Sequence, residues 1–409
     1  MKILQFCNKP PLPAVDGGCI AINNITRGVL KSGHDIKVVA ISTPKHPFKK
    51  SELPQDYLMK TRFESVFIDT SLKKLSLLKA LMLNKSYHVQ RFISKELTQK
   101  IISILKAEEF DVIHLETIFI APYIPVIRQY SKAKIVLRTH NIEHRIWERI
   151  MLHEKNIAKK IILRRITNQL KKFEYSTFNL IDGYMAISDQ DYNFFHELFP
   201  YVPGTVIEAG IDMELYHSED EYIPSDKPEL FHIGSMNWAP NIEGLSWFIE
   251  KVWGKINALF PQLTFAIAGR NTPAKFLEYN IPNLIILGEV KDAKEFILSK
   301  DIMIVPLLSG SGVRIKILEG MALGKTIITT TIGAEGLSVE NGKNILIAND
   351  PDEFIEVIDK CVRTPDICKI IGENAKNYVT LYHNNEIITE KIIAFYYDLI
   401  NHEPILEQD

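Results

Sequence analysis

The chain has 409 residues, 46% of them apolar, with 48 Lys and Arg against 50 Asp and Glu. That length exceeds one core of ordinary size and predicts two domains. The apolar content excludes wholesale disorder, and a formal net charge of −2 excludes general attraction to nucleic acid. Cys7, Cys19, Cys361 and Cys368 lack zinc-pair spacing and read as reduced residues of a cytosolic protein. No run approaches about 18 apolar residues, so no membrane span is expected, and prolines follow the first apolar run too soon for a signal peptide.

In chain order, Lys2–Phe6 predicts a strand, Pro10–Gly18 a loop, Cys19–Ser32 a helix and Ile36–Ile41 a second strand. This is a βαβ unit and implies a parallel sheet. Asp16-Gly17-Gly18 lies at the strand-to-helix junction. Two glycines there let backbone amides approach an anion or a sugar, although a plain tight turn accounts for them as well. Pro44–Pro54 reads as loop and Phe63–Ile68 as strand, with Lys49-Lys50 and Lys73-Lys74 as solvated pairs. Helix is expected over Tyr87–Lys106 and Pro122–Tyr130, and strand over Asp111–Leu115 and Lys134–Arg138.

The last of these strands runs into Thr139-His140-Asn141-Ile142-Glu143-His144. Polar residues at the carboxyl end of a parallel strand face the usual ligand crevice. His140 suits a sugar hydroxyl or a phosphate, with Glu143 and His144 orienting it or binding another substrate. Zinc is a weaker reading, because the spacing is not HExxH and no further ligand is apparent. Glu154–Leu180 predicts a long helix carrying the pairs Lys159-Lys160, Arg164-Arg165 and Lys171-Lys172 among isoleucines. Such a helix suits a membrane surface, or more plainly the outside of a large domain. Gly183–Ile187 is a strand, Ser188 starts a helix, and Ser218–Pro228 is the clearest linker, with the boundary near 205–225.

The second half has its own βα series. Strands are expected at Leu230–Ile233, Leu263–Ala268, Asn283–Leu287, Ile302–Val305, Thr326–Thr330 and Ile345–Ala348. Asn241 reads as the cap of a helix burying Leu245, Phe248 and Val252. The turn Ser309-Gly310-Ser311-Gly312 precedes a helical pattern that Gly324 can close. Gly312, Lys316 and Glu319 are spaced four and three apart and share one helical face. A phosphate can sit at the glycine turn, with Lys316 adding charge and Glu319 accepting ribose hydroxyls. The bland alternative is a capped amphipathic helix with Lys316 and Glu319 a solvated pair. Arg270, at the end of a strand, is placed for a diphosphate.

Taken as a set, these motifs resemble the retaining, metal-independent bacterial glycosyltransferases of the GT-B, family-4-like group. They are GG at 17–18, GH at 33–34, DVIH at 111–114, HNIEH at 140–144, EAGID at 208–212, HIGSMNWAPN at 232–241, AGR at 268–270, GEV at 288–290 and SGSGVRIKILEGMALGKTIITTTIGAEGL at 309–337. The resemblance implies an α/β fold of two facing Rossmann-like domains with an interdomain cleft. An acceptor-binding domain would span 1–205 and a nucleotide-sugar domain 206–385, with 386–409 a helix packing back on the first. It implies a hexosyltransferase moving sugar from a nucleotide-diphosphate sugar to a glycan or lipid-linked acceptor. No cofactor and no metal would be involved. Peripheral membrane contact is compatible with a cytoplasmic location.

By this resemblance Gly234, Arg270, Gly310, Ser311, Gly312, Arg314, Lys316 and Glu319 bind the donor. Gly17, Gly18, His140, Asn141 and Glu143 lie near the reacting centre and acceptor, and His140 and Glu319 carry the catalytic roles. The family usually has two glutamates eight positions apart. The second corresponds to Glu319, but Ser311 stands at the first. Trp238 and Asn241 stand where the family often carries Arg and Lys. A nucleotide-sugar epimerase or hydrolase on the same fold, and a non-catalytic nucleotide-binding partner of polysaccharide assembly, are the alternatives. A nicotinamide dehydrogenase is disfavoured because neither half supplies GxGxxG.

Overall fold

The structure, a computed structural model, describes residues 1–216, 228–310 and 312–401. Ser311 and nearly all of the expected linker at 218–228 lie outside the described residues. The chain forms two compact units, Met1–Glu208 with Ile388–Asp409, and Ala209–Ile387.

The first unit is built on a parallel sheet of seven strands: β1 Lys2–Cys7, β2 Asp35–Ser42, β3 Glu64–Phe67, β4 Val112–Glu116, β5 Lys134–Thr139, β6 Gly183–Ala186 and β7 Gly204–Val206. Their order is β3-β2-β1-β4-β5-β6-β7. The second unit has six parallel strands: β8 Glu229–Ile233, β9 Thr264–Ala268, β10 Leu284–Gly288, β11 Ile302–Val305, β12 Thr326–Thr329 and β13 Leu346–Ile347, in the order β10-β9-β8-β11-β12-β13. Both sheets are doubly wound. The order reverses between β1 and β4 in one and between β8 and β11 in the other, and ligands of such folds bind at the carboxyl ends of those strands. Near-continuous burial of β1, β2, β4, β5, β11 and β12 is what helices on both faces demand.

Each sheet has its own core. In the first unit, Leu4, Phe6, Ile113, Leu115, Ile135 and Leu137 pack one face with helical residues such as Leu97, Ile101 and Leu170. The other face packs Ile3, Val38, Val112 and Val136 against Ile22, Ile25 and Val29. Ile388, Ile392, Phe395, Tyr396 and Leu399 of the final helix, Asn385–Asn401, join that core. In the second unit, Phe248, Val252, Trp253, Phe265 and Phe276 fill the space beside Leu230, Ile302 and Ile304.

Local chemistry moves several predicted boundaries. The first helix begins at Gly17, because Asp16 caps it by accepting from the Cys19 amide at 2.9 Å; both glycines are therefore helical. The predicted helix Tyr87–Lys106 breaks into Tyr87–Gln90 and Lys95–Ala107, where Ser94 caps the second piece. Glu143 and His144 lie in the helix Glu143–His153 and not in a loop. The helix after β8 starts at Ala239, ahead of Asn241, so Asn241 is not its cap. No helix among the described residues is long and apolar enough to cross a membrane.

Candidate functional site

The second unit gathers its polar residues at its switch point. β8 ends in His232-Ile233 and is followed by Gly234, and the helix Ile315–Ala322 begins beyond β11. His232 is buried and its Nδ1 lies 2.7 Å from the Ile304 carbonyl. A carbonyl only accepts, so Nδ1 carries the proton and Nε2 keeps a lone pair. That lone pair faces Lys316 Nζ at 3.3 Å, and Lys316 also donates to Asn241 Oδ1 at 2.7 Å. Asn241 is oriented in turn by donating from Nδ2 to the Ser235 carbonyl at 2.9 Å. Burial, with the Lys316 charge beside it, pushes His232 well below the usual histidine range, so it stays neutral. Burial and the Arg314 charge lower Lys316 to about 7, against a partly restoring pull from Glu319.

Gly234 completes this cluster by having no side chain. A Cβ there would come 2.9 Å from Lys316 Nζ and 2.8 Å from Asn241 Nδ2. One helical turn on, Glu319 Oε1 accepts from the Tyr216 hydroxyl at 2.5 Å. Burial raises the Glu319 carboxyl, while that hydrogen bond and Lys316 oppose the rise. Lys316 and Glu319 are thus not a solvated pair: each is half-buried and tied to a different element.

Arg314 sits just ahead of the helix and is buried. It donates to the Gly312 carbonyl and, at 3.4 Å, to that of Ile332, and its guanidinium lies 5.4 Å from the Trp238 ring centre. Gly310 has φ +116° and approaches Trp238 so closely that a Cβ would stand 3.1 Å from the ring. Arg314 and Trp238 therefore brace the turn holding Gly310 and Gly312. Arg270 joins the site through its backbone, its carbonyl accepting from the Met236 amide at 2.9 Å. Its side chain lies 4.0 Å from Glu289.

The first unit has a comparable cluster at its own switch point, where Cys7 of β1 lies opposite Glu116 of β4. Glu116 is fully buried and accepts from Gln5 Nε2 at 2.9 Å, His140 Nε2 at 2.7 Å and Arg138 Nη1 at 3.5 Å, with the His114 ring 3.2 Å away but not hydrogen-bonded to it. Burial works against its charge, but His114 and Arg138 overcome this and hold it well below the usual carboxylate range. His140 is lowered, first by burial, although its bond to Glu116 opposes. A carboxylate only accepts, so Nε2 of His140 carries the proton and Nδ1 is left as an acceptor. Behind this group, the Tyr396 hydroxyl of the final helix bonds His114 Nδ1.

Gly17 and Gly18 open the helix capped by Asp16, whose carboxylate also meets Lys9 Nζ at 2.7 Å and His46 Nε2 at 2.8 Å. The Lys9 head lies over Gly18, where a Cβ would come within 2.4 Å of it. Asp16, Cys19 and His46 are close enough to share a metal ion. The carboxylate already serves Lys9, His46 and a backbone amide, and burial raises the Cys19 thiol to about 11, so this donor set fits an ion pair better than a cation.

Asn141 and Glu143 follow His140. Glu143 is half-buried, and burial together with the neighbouring Glu174 raises it to about 8. Glu174 accepts from the Glu143 and His144 amides and bonds the buried His144 ring, which assigns His144 to structure and not to a substrate. Sequence reasoning missed Lys9, Glu116, Tyr216 and His232. Glu116 and His232 were visible only as polar residues at the ends of apolar strands, and Tyr216 follows the EAGID string.

Residues 227–364 match the family model described as glycosyl transferases group 1. An uncharacterized 44.6 kDa protein in the cps region of Klebsiella pneumoniae is 23% identical, over 96% of this chain and 98% of its own. The lipopolysaccharide core biosynthesis mannosyltransferase LpcC of Rhizobium leguminosarum bv. viciae is 23% identical, over 63% of this chain and 79% of its own. Among solved structures, Anabaena Alr3699/HepE in complex with UDP aligns with a TM-score of 0.66 at 15% identity, covering 97% of this chain and all of that one. Lys316, Glu319, His232, Asn241 and Gly234 all fall inside the matched segment. The chain has the GT-B fold of two Rossmann-like units, and its residues 227–364 are similar to the glycosyl transferases group 1 model.

Proposed function

We propose that the protein is a hexosyltransferase that moves a sugar from a nucleotide-diphosphate sugar to a hydroxyl acceptor, with retention of anomeric configuration and without a metal ion. The observation that carries this reading is the Lys316 ammonium, held over Gly234 by the neutral His232 and by Asn241 at the carboxyl end of β8. Among the described residues no carboxylate is bonded to this lysine, and Glu319 pulls on it only in part, which leaves its charge disposed to take an anion. A diphosphate there would have its developing charge neutralised as it leaves. Glu319 Oε2 would accept a ribose hydroxyl while Oε1 stays on Tyr216, and the turn of Gly310 and Gly312, with Ser311 between them, would approach the phosphate or sugar.

On the acceptor side, His140 Nδ1 would take a hydrogen bond from a sugar hydroxyl. Gly17, Gly18, Asn141 and Glu143 would line its surroundings, and Lys9 joins them as a cation close enough to act on His140. UDP bound to Alr3699/HepE supports a nucleoside diphosphate as the leaving group, and the LpcC likeness supports cell-surface polysaccharide or glycolipid synthesis. The deciding experiment incubates the protein with a panel of nucleotide sugars and lipid-linked acceptors in chelator, with mass analysis of products. Transfer is expected, and Glu319→Ala should lower kcat/KM by about a hundredfold or more with folding intact. Undiminished turnover in that variant would remove Glu319 from the site. A free or altered sugar formed without acceptor would favour an epimerase or hydrolase.

A further inference from the structure

We infer that the first unit carries a docking face for an anionic lipid surface, formed by the helix Lys74–Met82 and the beginning of the helix Ile157–Phe178. The first of these helices buries only Ala80. Leu75, Leu78 and Met82, at steps of three and four, form one stripe that faces water. The second helix buries nothing before Ile166, so its first nine residues stand clear of the core for about 13 Å. Ile157 and Ile161 lie one turn apart on that free end. These five side chains are between 56% and 83% exposed. The two elements adjoin: Arg165 donates to the Leu81 carbonyl at 3.1 Å, and Gln169 to Asn84 Oδ1 at 3.4 Å.

Charge selects the occupant. Residues 72–85 and 149–165 hold ten Lys and Arg and a single acid, Glu154, in a chain where acids outnumber bases by two. Asp69, just outside, pairs with Lys73 at 2.8 Å. A second copy of the chain meeting this face about a two-fold axis would bring the cations against themselves. Nucleic acid would leave the leucines and isoleucines in water. Anionic headgroups satisfy the cations while the acyl boundary takes the apolar stripe, which is how interfacial helices bind. The inference stands apart from sugar transfer and would hold for any activity of the chain.

The test is flotation of the full chain with vesicles of phosphatidylcholine alone and of phosphatidylcholine mixed with phosphatidylglycerol. Binding to the mixed vesicles only, weakened by salt, is expected. The combined variant Leu75→Ser, Leu78→Ser, Ile157→Ser, Ile161→Ser should bind at least about tenfold more weakly. So should Lys73→Gln, Lys74→Gln, Lys159→Gln, Lys160→Gln. All eight side chains lie outside the cores, and unchanged circular dichroism would confirm intact folding. The inference is overturned by equal binding to neutral vesicles, by no binding to either, or by variants that bind as the parent does. It is also overturned if sedimentation shows a dimer that the serine variant dissociates.

Discussion

At the scale of single residues, the candidate donor site is arranged around one ammonium group. Among the described residues Lys316 has no carboxylate within hydrogen-bond reach; its partners there are an imidazole nitrogen and an amide oxygen, both neutral. Two predictions follow from that geometry. Gly234→Ala inserts a methyl group 2.9 Å from Nζ, and the lysine must swing away. Nucleotide affinity by calorimetry should fall about tenfold or more, with a stability loss of about 1–3 kcal/mol. The second concerns pH. Burial lowers Lys316 to about 7, so in the free protein it loses its proton above that value, whereas a bound diphosphate would raise it again. Affinity for UDP should therefore fall by up to about tenfold per unit between pH 7 and 9, with proton uptake on binding. Calorimetry in buffers of different ionisation enthalpy measures both, and Lys316→Met should abolish the slope.

At the scale of elements, the ends of helices carry much of the chemistry. Glu143 opens the helix Glu143–His153, whose first amides are taken by Glu174 of a neighbouring helix. Two acids thus meet at one helix start, and Glu143 rises to about 8 from an ordinary 4.5. The folded protein keeps a proton there that the unfolded chain has released between these values. Its contribution to stability is full below pH 4.5, declines through the window and is lost above 8. Glu143→Gln should flatten that decline, as read from urea midpoints between pH 5 and pH 8.5.

Elements also explain what could be read in advance. The strands were legible because a parallel sheet covered on both faces needs unbroken apolar runs, and β1, β4, β5 and β11 supply them. Lys316 and Glu319 stood out by their spacing on one helix. Their pairing with His232 and Asn241 of the 232–241 motif, and with Tyr216, did not, because those residues lie far away in sequence and meet the helix only through the fold. The same holds for Glu116: nothing local marks a glutamate that donors from β1, β5 and the segment after β5 will surround. The extent of the first helix was misread because Asp16 looked like part of a turn, when its carboxylate is the cap.

At the scale of the whole molecule, the first unit is discontinuous. Ile388, Ile392, Phe395, Tyr396 and Leu399 belong to its core although the second unit separates them from it in sequence. Burying each of them is worth roughly 1.5–3 kcal/mol, together about as much as the entire stability of an ordinary domain. Deleting residues 388–409 should therefore cost the first unit its cooperative unfolding transition, seen as loss of near-ultraviolet circular dichroism and rapid proteolysis within 1–208.

This discontinuity also sets an order of assembly during synthesis. Domains ordinarily fold as they emerge, the amino-terminal one first. Here the segment that closes the first unit is translated only after all of Ala209–Ile387. The second unit can complete its sheet while the first still has one face of β1, β2 and β4 covered only in part, by Ile22, Ile25 and Val29 of the first helix. The first unit, although made first, therefore gains its last core residues only when the end of the chain arrives, and its completion is tied to the synthesis of the whole second unit.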